Sequence, residues 1–241
     1  MEKFNILKEG PDHPDFGVNF EEFLNRVESI GEGGNAEVYT WDNDPFLKNI
    51  CYKKIKPNPQ ILWNDLEKEF DAQERIHEIG VRVPHPYLVF RNKITREEYF
   101  LMERIPGHTL AELINKNIEL PESFNLDEFM KKVYVELEKM HKSGIFHRDL
   151  HTKNIMITPE GNPVIIDFGT AYVSSEGDEE SDSIYEEAVM YKNYKGEYEN
   201  KSGYFMKDSE ALKGVETSLK SYMNRKQGFI PKDQFGQPID K

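Results

Sequence analysis

The octapeptide HRDLHTKN at residues 147–154 sets Asp149 and Asn154 five positions apart, and IIDFGTA at 165–171 places Asp167 eighteen positions beyond Asp149. Two carboxylates and a carboxamide in this order suit phosphoryl transfer. That reaction asks little covalent help from a protein; it needs a positioned metal, phosphates and an acceptor hydroxyl. Asp149 can orient the hydroxyl and accept its proton. Asn154 and Asp167 are hard oxygen ligands suited to Mg²⁺, with nucleotide phosphates and water completing the shell. Eight matched residue types at fixed offsets arise by chance on the order of once in ten billion start positions, at ~1/20 per residue.

Upstream, IGEGGNAEV carries Gly31 and Gly33 in a turn that re-enters a strand at Val38. Without Cβ atoms, such a turn lets backbone N–H groups approach phosphate oxygens. Alone the signal is weak, and a glycine-rich hairpin without a ligand explains it as well. The chain has no GxxxxGK[ST] at this turn, and a dinucleotide turn would open a helix, so P-loop and Rossmann readings both fail. Fifteen residues after Val38 lies Lys53, which shares a strand face with Cys51, while Tyr52 and Lys54 take the other. A lysine there reaches phosphates if a carboxylate holds it. Glu69, beside the core residue Phe70, is the preferred partner over Glu67 and Glu74. Taken singly, these charges would be ordinary surface groups.

The elements that must position these residues are legible. Residues 27–55 alternate as β-strands around polar turns. Leu62, Leu66, Phe70, Gln73 and Ile76 recur at helical spacing over 61–79, with Gly80 as the stop. YLVFRNKITREEYFLMERI reads as a hairpin. A second helix has Asn125 as N-cap, Glu128 three residues on and Gly144 as its end. NIMITPEGNPVIID gives two short strands about a Pro-Glu-Gly-Asn turn. Residues 1–25, with Phe4, Phe16, Phe20 and Phe23, form an extension packed on a neighbouring core. Beyond Asp178 the chain is acidic, then Tyr/Lys-rich and helical in pieces, with a loose tail.

The 241 residues, 37% hydrophobic and 31% charged with a net charge of −13, are enough for one large domain or two lobes. The acidic balance argues against nucleic acid or an anionic membrane as principal partner. A single cysteine, Cys51, excludes an internal disulfide and a Cys-based zinc site. No membrane-length apolar run or signal-peptide pattern is present, which sets a reducing, cytoplasmic location as the expectation.

Over residues 27–173 the chain resembles the protein-kinase-like superfamily, in compact form. GEGGNAEV is similar to its glycine-rich loop, with Ala36 in place of the third glycine; ICYK resembles V-A-I-K; HRDLHTKN fits H-R-D-L-x-x-x-N; and the Asp-Phe-Gly is identical. FLMERIPGHTL resembles the segment linking two lobes. The resemblance implies ATP and Mg²⁺ (or Mn²⁺) as nucleotide and metal, with Asp149 as base, Lys53 gripped by Glu69, and Asn154 and Asp167 on the metal. The loop Gly31, Glu32, Gly33, Gly34, Asn35 and Ala36 would cover the nucleotide. Ile30, Val38 and Cys51 would line the adenine pocket, Met102 would be its gatekeeper, and Glu103 and Ile105 would offer backbone groups. Met156, Ile165 or Ile166 would form its floor. Lys54 as the strand lysine is a one-residue alternative register.

The implied fold is α+β and two-lobed: a five-stranded antiparallel lobe with one helix over 27–104, a reduced, mainly helical lobe over 105–222, an extension over 1–26 and a flexible tail over 223–241. No A-P-E and no D-x-W follow Thr170, and the region from Glu67 to Tyr87 resembles small atypical kinases of the RIO type. His151 and ERIPGHTL also resemble aminoglycoside and choline phosphotransferases, with Lys153 placed to supply charge to the γ-phosphate. The leading expectation is an atypical serine/threonine protein kinase; a small-molecule phosphotransferase and a non-catalytic nucleotide-binding scaffold are the alternatives. Ser174, Ser175, Ser181, Ser183 and Tyr185 are available for autophosphorylation opposite Arg148. The preferred expectation is that Arg148 pairs with the acidic run EGDEESD without a phosphate.

Overall fold

The computed structural model describes residues 3–11, 24, 27–32, 36–55, 65–122, 124–174, 182–186, 189–192, 198–201 and 205–226. A six-stranded antiparallel sheet forms one lobe: β1 (Phe4–Glu9), β2 (Glu28–Glu32), β3 (Ala36–Thr40), β4 (Ile50–Ile55), β5 (Pro86–Asn92) and β6 (Glu98–Glu103), in the spatial order β1-β5-β6-β4-β3-β2. This corrects the five-stranded expectation. The start of the chain does pack on a neighbouring core, as its aromatic content suggests, but it does so as a strand. Phe4 pairs with Asn92 and is buried in an apolar cluster with Trp41, Tyr52, Phe90 and Tyr99. Phe16, Phe20, Phe23, Leu62 and the tail from 227 onward lie outside the described residues.

The helix α1 (Leu66–Glu78) covers the opposite face of the sheet, with Leu66 and Phe70 against Val89 and Phe100. Asp65 caps it by accepting from the Glu67 and Lys68 amides, and Gly80 ends it at φ 76°. Each of these fully buried aromatic or aliphatic side chains contributes about 1.5–3 kcal/mol.

The second lobe holds α2 (Leu110–Asn115), α3 (Leu126–Lys142), the one-turn α4 (Asp182–Tyr185) and α5 (Asp208–Lys226). Short strands lie among them: β7 (His108–Thr109), β8 (Ile145–Phe146), β9 (Ile155–Ile157), β10 (Pro163–Ile165) and β11 (Tyr172–Val173). Asn125 caps α3 through the Glu128 amide and Gly144 follows its end at φ 70°. Two features depart from the sequence reading. A hairpin of β12 (Val189–Lys192) and β13 (Tyr198–Lys201) occurs where only helical pieces were expected, and α5 continues to Lys226, past the expected start of the tail.

The largest apolar cluster crosses the expected boundary near residue 104. Ala72 and Ile76 of α1, with Val81 and Val83 beyond it, pack with Phe129, Val133 and Met140 of α3 and Leu212 and Leu219 of α5. The sheet's helix is therefore rooted in the second lobe. Gly107 joins the two parts at φ 123°, where a Cβ would lie 2.1 Å from the Ile157 carbonyl oxygen; only glycine fits.

Candidate active site

Strand alternation settles which lysine enters the cleft. β4 is central, with Lys53 opposite Val38 on β3 and Phe100 on β6. Lys53 points toward α1 and is buried. Lys54 points to the other face, where it pairs with Glu97 at 2.6 Å and lies over the Tyr99 ring.

The Lys53 Nζ donates to both oxygens of Glu69, at 2.8 and 2.9 Å, and to Asp167 Oδ1 at 2.7 Å. Glu67 and Glu74 are not in this cluster: Glu67 lies 4.0 Å from Arg91, and burial and acidic neighbours push Glu74 up. Burial pushes the Glu69 carboxyl up, opposed by the Lys53 charge. For Lys53, burial disfavours the ammonium, but Asp167 and Glu69 outweigh it and raise its pKa. Asp167 shows the reverse balance, with desolvation outweighed by Lys53 so that its carboxyl is held below the usual range. Gly169 allows this approach, since a Cβ there would sit 3.3 Å from Glu69 Oε2 and 3.5 Å from the Lys53 ammonium.

Asp149 and Asn154 come from the loop between β8 and β9. The Asn154 Nδ2 donates to the Asp149 carbonyl at 2.8 Å and lies 3.4 Å from its carboxylate, so the amide's other end is the oxygen a cation would want. The Ile166 amide donates to the Asn154 carbonyl at 3.0 Å, tying this loop to the residue before Asp167. Burial is the main influence pushing the Asp149 carboxyl up, countered by His151 and His147. The His151 ring is exposed, 3.7 Å from Asp149 Oδ2, and Lys153 is exposed on the same loop.

Two backbone positions at the site, Arg148 and Asp167, both have φ 65°. Non-glycine residues hold this region only when the surroundings over-determine it. Those surroundings centre on a residue the sequence reading missed. Asp208, fully buried in the first turn of α5, accepts from the His147 amide at 2.7 Å and the Arg148 amide at 2.8 Å. The absence of a D-x-W motif concealed it; the usable signal was an acidic residue opening the amphipathic run DSEALKGVETSL. His147, also fully buried, meets the Asp149 amide at Nδ1 and the Ile166 carbonyl at Nε2, 3.0 Å away, an arrangement that places a proton on Nε2.

The remaining predicted residues divide. Cys51, expected to line the adenine pocket, is buried, its thiol donating weakly to the Glu103 carbonyl and pushed up to about 12 by burial. Met102 meets the Gln73 amide at 3.9 Å beneath it. Val38 and Gly31 are half-buried, Ile30 is exposed and Ile105 is buried. Ile165 is corrected: it lies in the core of the second lobe, while Met156 on β9 and Ile166, just past the end of β10, are half-buried. Ala36 and the Glu32 backbone belong to strands; Gly33, Gly34 and Asn35 lie outside the described residues.

Arg148 donates to the Thr170 carbonyl at 2.8 Å and the Ile184 carbonyl at 3.3 Å and sits 4.1 Å from the Phe205 ring centre. Asp182, of the acidic run expected to face it, pairs with Lys207 instead; residues 175–181 lie outside the described residues. Ser174 and Tyr185 are buried, which removes them as ready phosphate acceptors, whereas Ser183 is exposed.

Residues 24–197 match the family described as "Protein kinase domain". Among curated relatives, an EKC/KEOPS complex subunit of Schizosaccharomyces pombe is 27% identical over 161 residues, covering 62% of this chain and 66% of that protein. The EKC/KEOPS complex subunit BUD32 of Yarrowia lipolytica is 28% identical over 187 residues, 67% of this chain and 74% of its own. The probable serine/threonine-protein kinase PknB of Lactococcus lactis is 27% identical over 168 residues, and only 25% of its length is matched. Among the described residues no helix is long and apolar enough to cross a membrane.

Proposed function

The chain belongs to the protein kinase domain family, and from that premise we propose that it transfers the terminal phosphoryl group of ATP to a hydroxyl, with serine or threonine of a protein as acceptor class. The observation that carries this reading is the Lys53 ammonium, within hydrogen-bond distance of Glu69 and Asp167 at once. Glu69 fixes the direction of the lysine. Lys53 in turn presents a desolvated positive charge where nucleotide phosphates would lie.

The Asn154 carboxamide and the Asp167 carboxylate are hard oxygen donors, and Gly169 adds no side chain beside the Asp167 carboxylate, so the donor set fits Mg²⁺ or Mn²⁺. When bound, the ion neutralises phosphate charge and orients the transferring group. Asp149 takes the acceptor's proton as its oxygen attacks. Its loop is held for this by Asp208 and His147, and Lys153 lies on the same loop as a cation for the γ-phosphate. Ile30, Val38, Met102, Ile105, Met156 and Ile166 would enclose adenine, with Glu103 and Ile105 supplying backbone groups.

A second acceptor class, a small hydroxyl compound, is favoured by one observation, the His151 ring 3.7 Å from Asp149. Labelled ATP offered with generic proteins and, separately, with aminoglycosides or amino alcohols distinguishes the two. The expected result is label on protein serine or threonine, absent with Asp149→Ala. Preferential labelling of the small compounds overturns the acceptor class. No labelling of any acceptor, with nucleotide still bound, favours a scaffold.

A further inference from the structure

Arg75, in the last turn of α1 and six residues beyond Glu69, crosses to the other lobe. Its NH2 donates to the Ser143 carbonyl at 3.0 Å, and its NH1 to the Ser174 carbonyl at 3.2 Å. Ser143 is the C-cap of α3, the helix that leads into the His147–Asn154 loop. Ser174 ends the stretch that begins at Asp167 and runs through β11. The two acceptors belong to one junction, since the Ser174 amide donates to the Gly144 carbonyl at 2.7 Å and β11 pairs with β8.

One guanidinium therefore touches the helix that carries Glu69, the chain entering the Asp149 loop and the chain leaving Asp167. The planar fork explains the residue type. Two carbonyls from separate segments are met by two N–H groups in fixed geometry, which a lysine ammonium on its flexible stem does not reproduce. A cation at the C-terminus of α3 also complements the helix dipole.

We infer that Arg75 is a positioning residue, coupling the conformation of the segment after Asp167 to the placement of Glu69 against Lys53. A displacement of the chain at Ser174 is then felt by α1, and a displacement of α1 loosens Ser174. The inference rests on the proposed phosphoryl transfer for its kinetic readout but not for its structural one.

The test compares full-length wild type, Arg75→Ala and Arg75→Lys. Phosphoryl transfer from ATP is measured together with hydrogen exchange at the Ser174 amide. Loss of charge-assisted hydrogen bonds of this kind predicts a kcat lower by about tenfold in Arg75→Ala, with KM for ATP within about twofold and Arg75→Lys in between. Exchange at Ser174 should be faster in Arg75→Ala with or without nucleotide. A simple packing role would move the melting temperature without moving Ser174 exchange selectively. Should Arg75→Ala fail to fold, Arg75→Lys, which keeps the stem and the charge, carries the test through the same two readouts. Wild-type turnover and unchanged Ser174 exchange in the folded variant overturn the inference. Absence of transfer in wild type counts against the proposed function, and the exchange measurement then decides the coupling by itself.

Discussion

Lys53 and Lys54 are adjacent and chemically identical, yet the alternation of β4 sends one into the cleft and the other onto the Glu97 carboxylate. Replacing Lys53 by Met should lower phosphoryl transfer by about 100-fold or more, whereas Lys54→Met should stay within a few-fold of wild type. Steady-state rates of the two variants check this. Lys53→Met also leaves Glu69, 3% exposed, without its cation, a loss of about 3 kcal/mol near neutral pH. Without that cation, Glu69 has a folded pKa above its unfolded one. The penalty is therefore present at high pH and relieved as pH falls toward carboxyl protonation; urea unfolding of the variant across pH reads this directly. Asp149 gives a kinetic counterpart. Its carboxyl is pushed up by burial, so the proton-accepting form exists only above that raised pKa. The acid limb of kcat/KM should accordingly lie at higher pH than an ordinary aspartate's, about 3.9. A limb at or below that value contradicts the assignment of Asp149 as base.

Gly107 shows what a connecting element demands. A methyl group there would collide with the Ile157 carbonyl, and φ 123° is strained for any L side chain. Gly107→Ala should therefore cost more than about 2 kcal/mol in urea unfolding, far beyond a surface substitution. The α1 and α3 helices, their caps and the β5–β6 hairpin were legible in the sequence because each is locally encoded: Asn125 and Glu128 at one start, Gly80 and Gly144 at the ends, alternation between. The loop at 147–154, proposed to be catalytic, was legible for a different reason, since the proposed chemistry dictates residue types at short spacing. Asp208 was not legible, because what it does is set by the two backbone amides it meets some sixty residues away. Ile165 and Ile166 illustrate the same limit: adjacent isoleucines look alike in sequence, and only the folded chain buries Ile165 in the core while leaving Ile166 half-buried. The β12–β13 hairpin was missed because its Tyr/Lys-rich segment carries no clean alternation.

At the scale of the whole molecule, the first described residues of the chain belong to the sheet lobe. β1 hydrogen-bonds β5, Leu7 packs against Leu66 and Phe70, and Lys8 meets Asp71 of α1 at 2.7 Å. Deleting residues 1–11 removes the buried Phe4 and the half-buried Leu7 along with strand β1, and should lower stability by about 3 kcal/mol or more. Lys8→Ala alone, at a largely solvated pair, should change it by less than about 1 kcal/mol; urea midpoints of the two variants make the comparison. The rooting of α1 in both lobes holds Glu69 against Lys53, which also meets Asp167, and the proposed phosphoryl transfer depends on that assembly. The most direct test measures Mg²⁺-dependent ATP binding and phosphoryl transfer side by side in wild type, Asp149→Ala and Asp167→Ala. The account predicts that Asp149→Ala binds Mg·ATP like wild type but transfers nothing, while Asp167→Ala loses the Mg²⁺-dependent binding itself. Equal ATP affinity and equal transfer in both variants would contradict it.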